Sequence, residues 1–113
     1  MIVGAALVEL HVHGSHSLKE KRGVVRSVLQ RIRNRFNVSA AEVGGQDTWQ
    51  RALIGVVSVG SDAQAIRTLL GRVVDFVESV GLAEVTNSDV EILTLDHADP
   101  SGDDEAGDDE GET

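Results

Sequence analysis

Apolar and polar residues alternate from the first position. Ile2, Gly4, Ala6, Val8, Leu10 and Val12 fall on one face, and Val3, Ala5, Leu7, Glu9, His11 and His13 on the other, which predicts a strand over Met1 to His13. The period then lengthens. Leu18, Val25, Val28, Leu29, Ile32 and Phe36 recur at three- and four-residue steps, the mark of a helix with one buried stripe. Ser17 and Glu20 stand at capping-box spacing before it, where the serine oxygen accepts a free backbone N–H and the glutamate reaches back; its end is predicted near Asn34. Phe36 to Val43 and the β-branched run Trp49 to Val59 predict a hairpin around the turn residues Gly44 to Asp47. Ser61 and Gln64 repeat the cap spacing before a second stripe of Ile66, Leu69, Leu70, Val73, Val77 and Val80, which Gly81 is placed to stop. A last strand lies within Ala83 to Leu95, with Asn87, Ser88 and Asp89 signalling a bend.

The order β-α-β-β-α-β is that of the ferredoxin-like plan, an α+β fold in which two helices cover one face of a four-stranded antiparallel sheet. In that plan the first and third strands are central. Their uncovered faces carry Val3, Ala5 and Leu7 beside Leu53 and Val57, an apolar patch of a kind rarely left to water. A second copy, as in a homodimer, or another protein is therefore expected on it, although a kinked strand or a folded-over C-terminus would cover it locally. Trp49, at the hairpin end of the third strand, is grouped with this interface.

Charge separates into two blocks. Of ten basic residues, seven lie between Lys19 and Arg35 against the single acid Glu20, while nine of nineteen acids follow Leu95. Residues 1–95 thus balance ten bases with ten acids, and the net charge of −9 belongs to residues 96–113. That segment offers almost nothing apolar to offset the entropy of ordering, so it is expected to be a disordered acidic tail on one domain spanning 1–95. There is no cysteine, which removes disulfides and thiolate metal sites and accords with a cytoplasmic location. Apolar runs such as Ile2 to Val8 fall well short of the roughly 20 residues that span a bilayer, and the first residues lack the pattern of a secretory signal.

On a helical wheel Lys19, Arg22, Arg26 and Arg33 fall within a sector of roughly 60°, with Gln30 beside them. A stripe of this kind suits the phosphates of RNA and supplies affinity without reading sequence. The alternative is a solvated helix face. The only aromatics are Phe36, Trp49 and Phe76, so the stacking platform of an RNA-recognition motif is not expected on the sheet.

The stretches SLKEKR (Ser17 to Arg22), RNRFNVS (Arg33 to Ser39), AEV (Ala41 to Val43) and Gln46 to Arg51 with its DxWQR text resemble the YlxP-like family, a bacterial family of unknown function, over about residues 1–95. The resemblance implies a ferredoxin-like domain of unassigned activity, encoded in many bacteria near translation-initiation and ribosome-maturation genes. Two departures from the pattern are His13, where many members carry proline, and the acidic tail.

Site chemistry is sparse. His11, His13 and His16 form H-x-H-x-x-H, and imidazoles at i and i+2 share a strand face; Glu9 is within reach, but no cysteine or further carboxylate follows locally, and His97 belongs at the other end of the fourth strand. No metal or cofactor is expected on that spacing alone. Gly14 to Ser17 before the first helix, with Lys19, Lys21 and Arg22, are a weak anion-site signal because the capping box uses the same donors. No phosphate-binding glycine loop occurs, and nothing pairs a nucleophile with a base, so an enzyme is not expected. The expected function is noncatalytic binding of RNA or a ribosomal subunit through the first helix; the alternative is a homo-oligomeric scaffold or protein-binding module working through the sheet face.

Overall fold

The computed structural model describes residues 1–45 and 48–96. Its elements are β1 (Ile2–His11), α1 (Leu18–Arg35), β2 (Ser39–Gly44), β3 (Arg51–Gly60), α2 (Ala63–Val80) and β4 (Glu84–Thr94). The strands form one antiparallel sheet in the order β2-β3-β1-β4, the ferredoxin-like topology, with β1 and β3 central. The expected acidic tail lies outside the described residues except for Asp96.

Alternation decides which face is covered. Ala6, Val8 and Leu10 of β1 and Ala52, Ile54 and Val56 of β3 are buried against Val25, Val28 and Ile32 of α1 and Ile66, Leu70, Val73 and Val77 of α2. Gly4 makes room for α2: a Cβ there would stand 2.3 Å from Ile66 Cγ2 and 2.9 Å from Leu70 Cδ1, so a larger residue would push the helix off β1.

The element ends differ from the expected ones in four places. Strand β1 stops at His11, so His13, expected inside it, follows the strand. Helix α1 runs to Arg35, and Phe36 is its C-cap, donating its N–H to Ile32 O at 2.9 Å, so β2 begins only at Ser39. Trp49 precedes β3, which starts at Arg51. The N-cap of α2 is Asp62 and not Ser61: the Asp62 carboxylate accepts from Gln64 N at 3.0 Å. Gly81 does end α2, at φ 77°.

Strand β4 passes straight through Asn87 to Asp89, and the irregularity is one residue away. Glu9 pairs with Asn87 but Leu10 pairs with Val85, leaving Thr86 as the extra residue of a bulge. The pattern demands it. Val90 and Ile92 share one parity and Val85 has the other, so only an inserted residue turns all three toward the core. The same insertion places Glu84 opposite His11.

Candidate functional site

Lys19, Arg22, Arg26 and Arg33 are all exposed on α1, so the predicted stripe exists. Among the described residues the ion pairs are His13–Glu84, Lys21–Glu42 and Arg51–Glu9, none of which involves the stripe. Arg26 borders a shallow depression with Gly23, Ser27, Gln30 and Arg31. Arg33 differs from the others: one guanidinium nitrogen donates to Ala40 O at 2.6 Å, tying α1 to β2. Arg35 is also engaged, its guanidinium 5.1 Å from the centre of the Phe76 ring, which itself meets Phe36 edge-on at 5.5 Å. Phe36 caps α1 and Phe76 belongs to α2, while Trp49 lies before β3.

Lys21 does not belong with these cations. Its side chain is fully buried beneath the helix, with Nζ 2.6 Å from Gly45 O, 3.3 Å from Glu42 Oε2 and 3.4 Å from Arg51 O. Three N–H donors meet three acceptors, one of them a carboxylate, which is what a buried ammonium requires. The sequence carried the signal, because position 21 stands four residues before Val25 and seven before Val28, inside the apolar stripe. Lys21 is therefore unavailable to an anion before α1. That end of the helix is also closed by its own groups: Ser17 Oγ accepts from Glu20 N at 3.1 Å, and Glu20 Oε1 accepts from His16 N at 2.7 Å, one residue earlier than a standard box. A carboxylate there repels an incoming anion.

The uncovered sheet face carries the residues expected on it. Ala5 pairs with Val57 and Leu7 with Gly55, while Val3 meets Val59 and Leu53 meets Glu9. Leu7 is 43% exposed and Val57 39%, and β2 adds Val43 at 55%. Together they line a groove floored by Ala5 and Gly55 and flanked on the β4 side by Asp89 and Glu91. Trp49 is exposed in the connection before β3.

Beyond the apolar stretch the same face turns polar. Arg51 Nε donates to Glu9 Oε2, and Thr86 Oγ1 donates to Glu9 Oε1 at 3.2 Å. The hydrogen bond from Arg51 holds the Glu9 carboxyl below its ordinary range; partial desolvation opposes it, and the Thr86 bond and the arginine's charge add to it. At the end of β1 and just past it, the rings of His11 and His13 lie 4.1 Å apart between centroids, and His13 Nε2 is 2.7 Å from Glu84 Oε1. The ligand atoms of His11, His13 and Glu84 all lie within 4.8 Å of one another. His16, the third histidine of the sequence motif, is not in this group, and neither is Glu9; His97 lies outside the described residues. Glu84 escaped sequence reasoning because the bulge at Thr86, a matter of pairing register, brings it there.

No helix among the described residues is long and apolar enough to cross a membrane. Comparison with solved structures returns matches of low identity. SnoaB, a cofactor-independent oxygenase from Streptomyces nogalater, is 13% identical with a TM-score of 0.47, covering 89% of this chain and 100% of its own. The de novo designed protein Foldit4 is 14% identical with a TM-score of 0.43, covering 85% of this chain and 98% of its own. Similarity in sequence is closer to Bacillus subtilis (strain 168) YlxP, described as an uncharacterized protein: 42% identity over 78 residues, 69% of this chain and 85% of that protein. The model of a protein family of unknown function, DUF503, matches residues 3–90, so the chain that folds into this half-covered sheet belongs to the DUF503 family.

Proposed function

We propose that this chain is a noncatalytic RNA-associated protein, with ribosomal RNA within its range, that holds phosphates along the outer face of α1. One observation carries the reading: Lys19, Arg22 and Arg26 stand exposed along one helix with no ion-pair partner among the described residues. Such cations meet a phosphate without first giving up an internal carboxylate. Arg33 extends the row with the donors its bond to Ala40 leaves over. From Lys19 to Arg33 the row spans about 21 Å of helix.

Four phosphate contacts on single-stranded RNA give a salt slope of about −2.8, so affinity falls about twentyfold between 0.05 and 0.15 M salt. The test is co-sedimentation with ribosomal subunits and with bulk RNA at those two salts, beside Lys19→Glu/Arg22→Glu/Arg26→Glu, which spares the Arg33 contact to β2. Loss of binding in a variant with an unchanged circular dichroism spectrum supports the site. Undiminished binding by that variant removes it.

A second reading has its own observation. Leu7, Val43, Val57, Val59 and Leu93 are all exposed large apolar residues of the strands, an arrangement suited to a second copy packed sheet to sheet. It is compatible with the first, because α1 lies on the opposite side of the sheet. Sedimentation equilibrium of the wild type against Leu7→Asp decides it: a wild type that stays monomeric at high concentration excludes the homodimer.

A further inference from the structure

We propose that His11, His13 and Glu84 form a binding site for a divalent transition cation of the zinc class, at the end of the open sheet face beyond the apolar groove. Two structural facts build it. β1 ends on the open face at His11, with His13 two residues beyond it and the two rings 4.1 Å apart, and the bulge at Thr86 turns Glu84 to that face opposite His11. Without the extra residue, Val85 would stand opposite His11 and Glu84 would point toward the helices.

The distances suit a small cation. Zinc bonds of 2.0–2.1 Å in a tetrahedral arrangement hold their donors about 3.4 Å apart. Here the donor atoms lie within 4.8 Å of one another, and the His13–Glu84 pair, at 2.7 Å, shares a proton that a metal would replace. An expansion of about 0.7 Å on that side and a contraction of up to about 1.4 Å on the other complete the geometry. Both His13 and Glu84 are well exposed, which leaves their side chains room for it.

Charge agrees. The cation paired across from His11 in the register is Arg51, and Glu9 neutralises it by a direct hydrogen bond. Glu84 has no Lys or Arg partner among the described residues, so with the imidazoles in the deprotonated form that a metal takes, the three ligands make a net negative site. Two nitrogen donors and one oxygen suit Zn²⁺, Co²⁺, Ni²⁺ or Cu²⁺ and not Mg²⁺ or Ca²⁺. A fourth position stays open to water or to a donor from another molecule.

The test uses the full chain, with no affinity tag, titrated calorimetrically with Zn²⁺ in a large excess of Mg²⁺, which occupies the carboxylates of residues 96–113 but not imidazoles. One zinc per chain is expected, with the ring protons of His11 and His13 shifted in NMR spectra and visible absorption bands when Co²⁺ is used instead. His11→Ala and Glu84→Gln should each weaken binding at least about tenfold, the loss that even an outer-sphere change produces, and His16→Ala should leave it unaltered. No uptake of zinc over magnesium, or uptake that either His11→Ala or Glu84→Gln leaves unchanged, overturns the site.

Discussion

Lys21 and Glu42 form an ion pair of 3.3 Å beneath α1, with the lysine side chain wholly buried and the carboxylate largely so. The pair fixes the first turn of α1 to the β2–β3 hairpin, because the same ammonium donates to Gly45 O at 2.6 Å. Gly45 can present that carbonyl only because its backbone sits at φ 76°, where a Cβ would stand 2.8 Å from Arg51 O. Lys21→Met keeps most of the volume but leaves a carboxylate and two carbonyls without their donor. We expect a loss of about 3 kcal/mol in urea unfolding, the low end for a broken buried pair because Glu42 keeps some contact with water. A double-mutant cycle with Glu42→Gln should return a coupling of about 1 kcal/mol or more; additivity would mean that the carbonyls, and not the carboxylate, hold Lys21.

Glu9 gives stability a pH dependence. Its carboxyl titrates below the ordinary range in the folded protein, chiefly through the Arg51 hydrogen bond, so the folded state binds this proton less readily than the unfolded chain. The stabilisation is therefore complete above the unfolded value and is lost as pH falls through the lower folded one. Arg51→Gln should move the Glu9 titration, followed by NMR of its side-chain carboxyl, upward toward the ordinary range. An unmoved titration would assign the effect to Thr86.

The start of α2 separates two neighbouring candidates for its cap. Asp62→Ala removes the acceptor for Gln64 N and should cost about 1 kcal/mol, whereas Ser61→Ala should be nearly neutral. Thermal unfolding of the two single variants reads this directly, and equal losses would mean that Ser61 shares the cap.

Order and period of the elements are legible in the sequence because both are local. Val8, Leu10, Ile54 and Val56 announce their face by alternation, and Val25, Val28 and Ile32 theirs by helical spacing. Lys21 was equally legible by position and was obscured by its chemistry, since a lysine among arginines reads as solvated until its partners Glu42 and Gly45 are placed by the hairpin. Thr86 marks the harder case. The bend residues Asn87 to Asp89 suggest a break in β4, but pairing with β1 absorbs the irregularity as one bulged residue, and only the parity of Val85 against Val90 hints at it. Glu84 reaches His11 and His13 across 71 or more positions of sequence, a separation no local pattern spans.

The acidic residues beyond Leu95 lead to a prediction about salt. Leu95 is pinned to the start of the chain, its N–H donating to Met1 O at 2.8 Å and its carbonyl accepting from the Met1 amino group at 3.1 Å, so removal of residues 96–113 keeps every strand and helix. It also removes nine acids and takes the formal charge from −9 to zero. If α1 holds RNA as proposed, tethered carboxylates would compete with it for Lys19, Arg22 and Arg26 at an effective concentration that free anions would reach only in the millimolar range. Shortening the chain should therefore raise affinity for RNA at about 0.05 M salt, and the gain should shrink at about 0.15 M, where screening already weakens the internal competitor. Equal binding of the full and shortened chains at the lower salt would mean that the acids do not mask α1. A gain that persists undiminished at the higher salt would point to a contact other than charge.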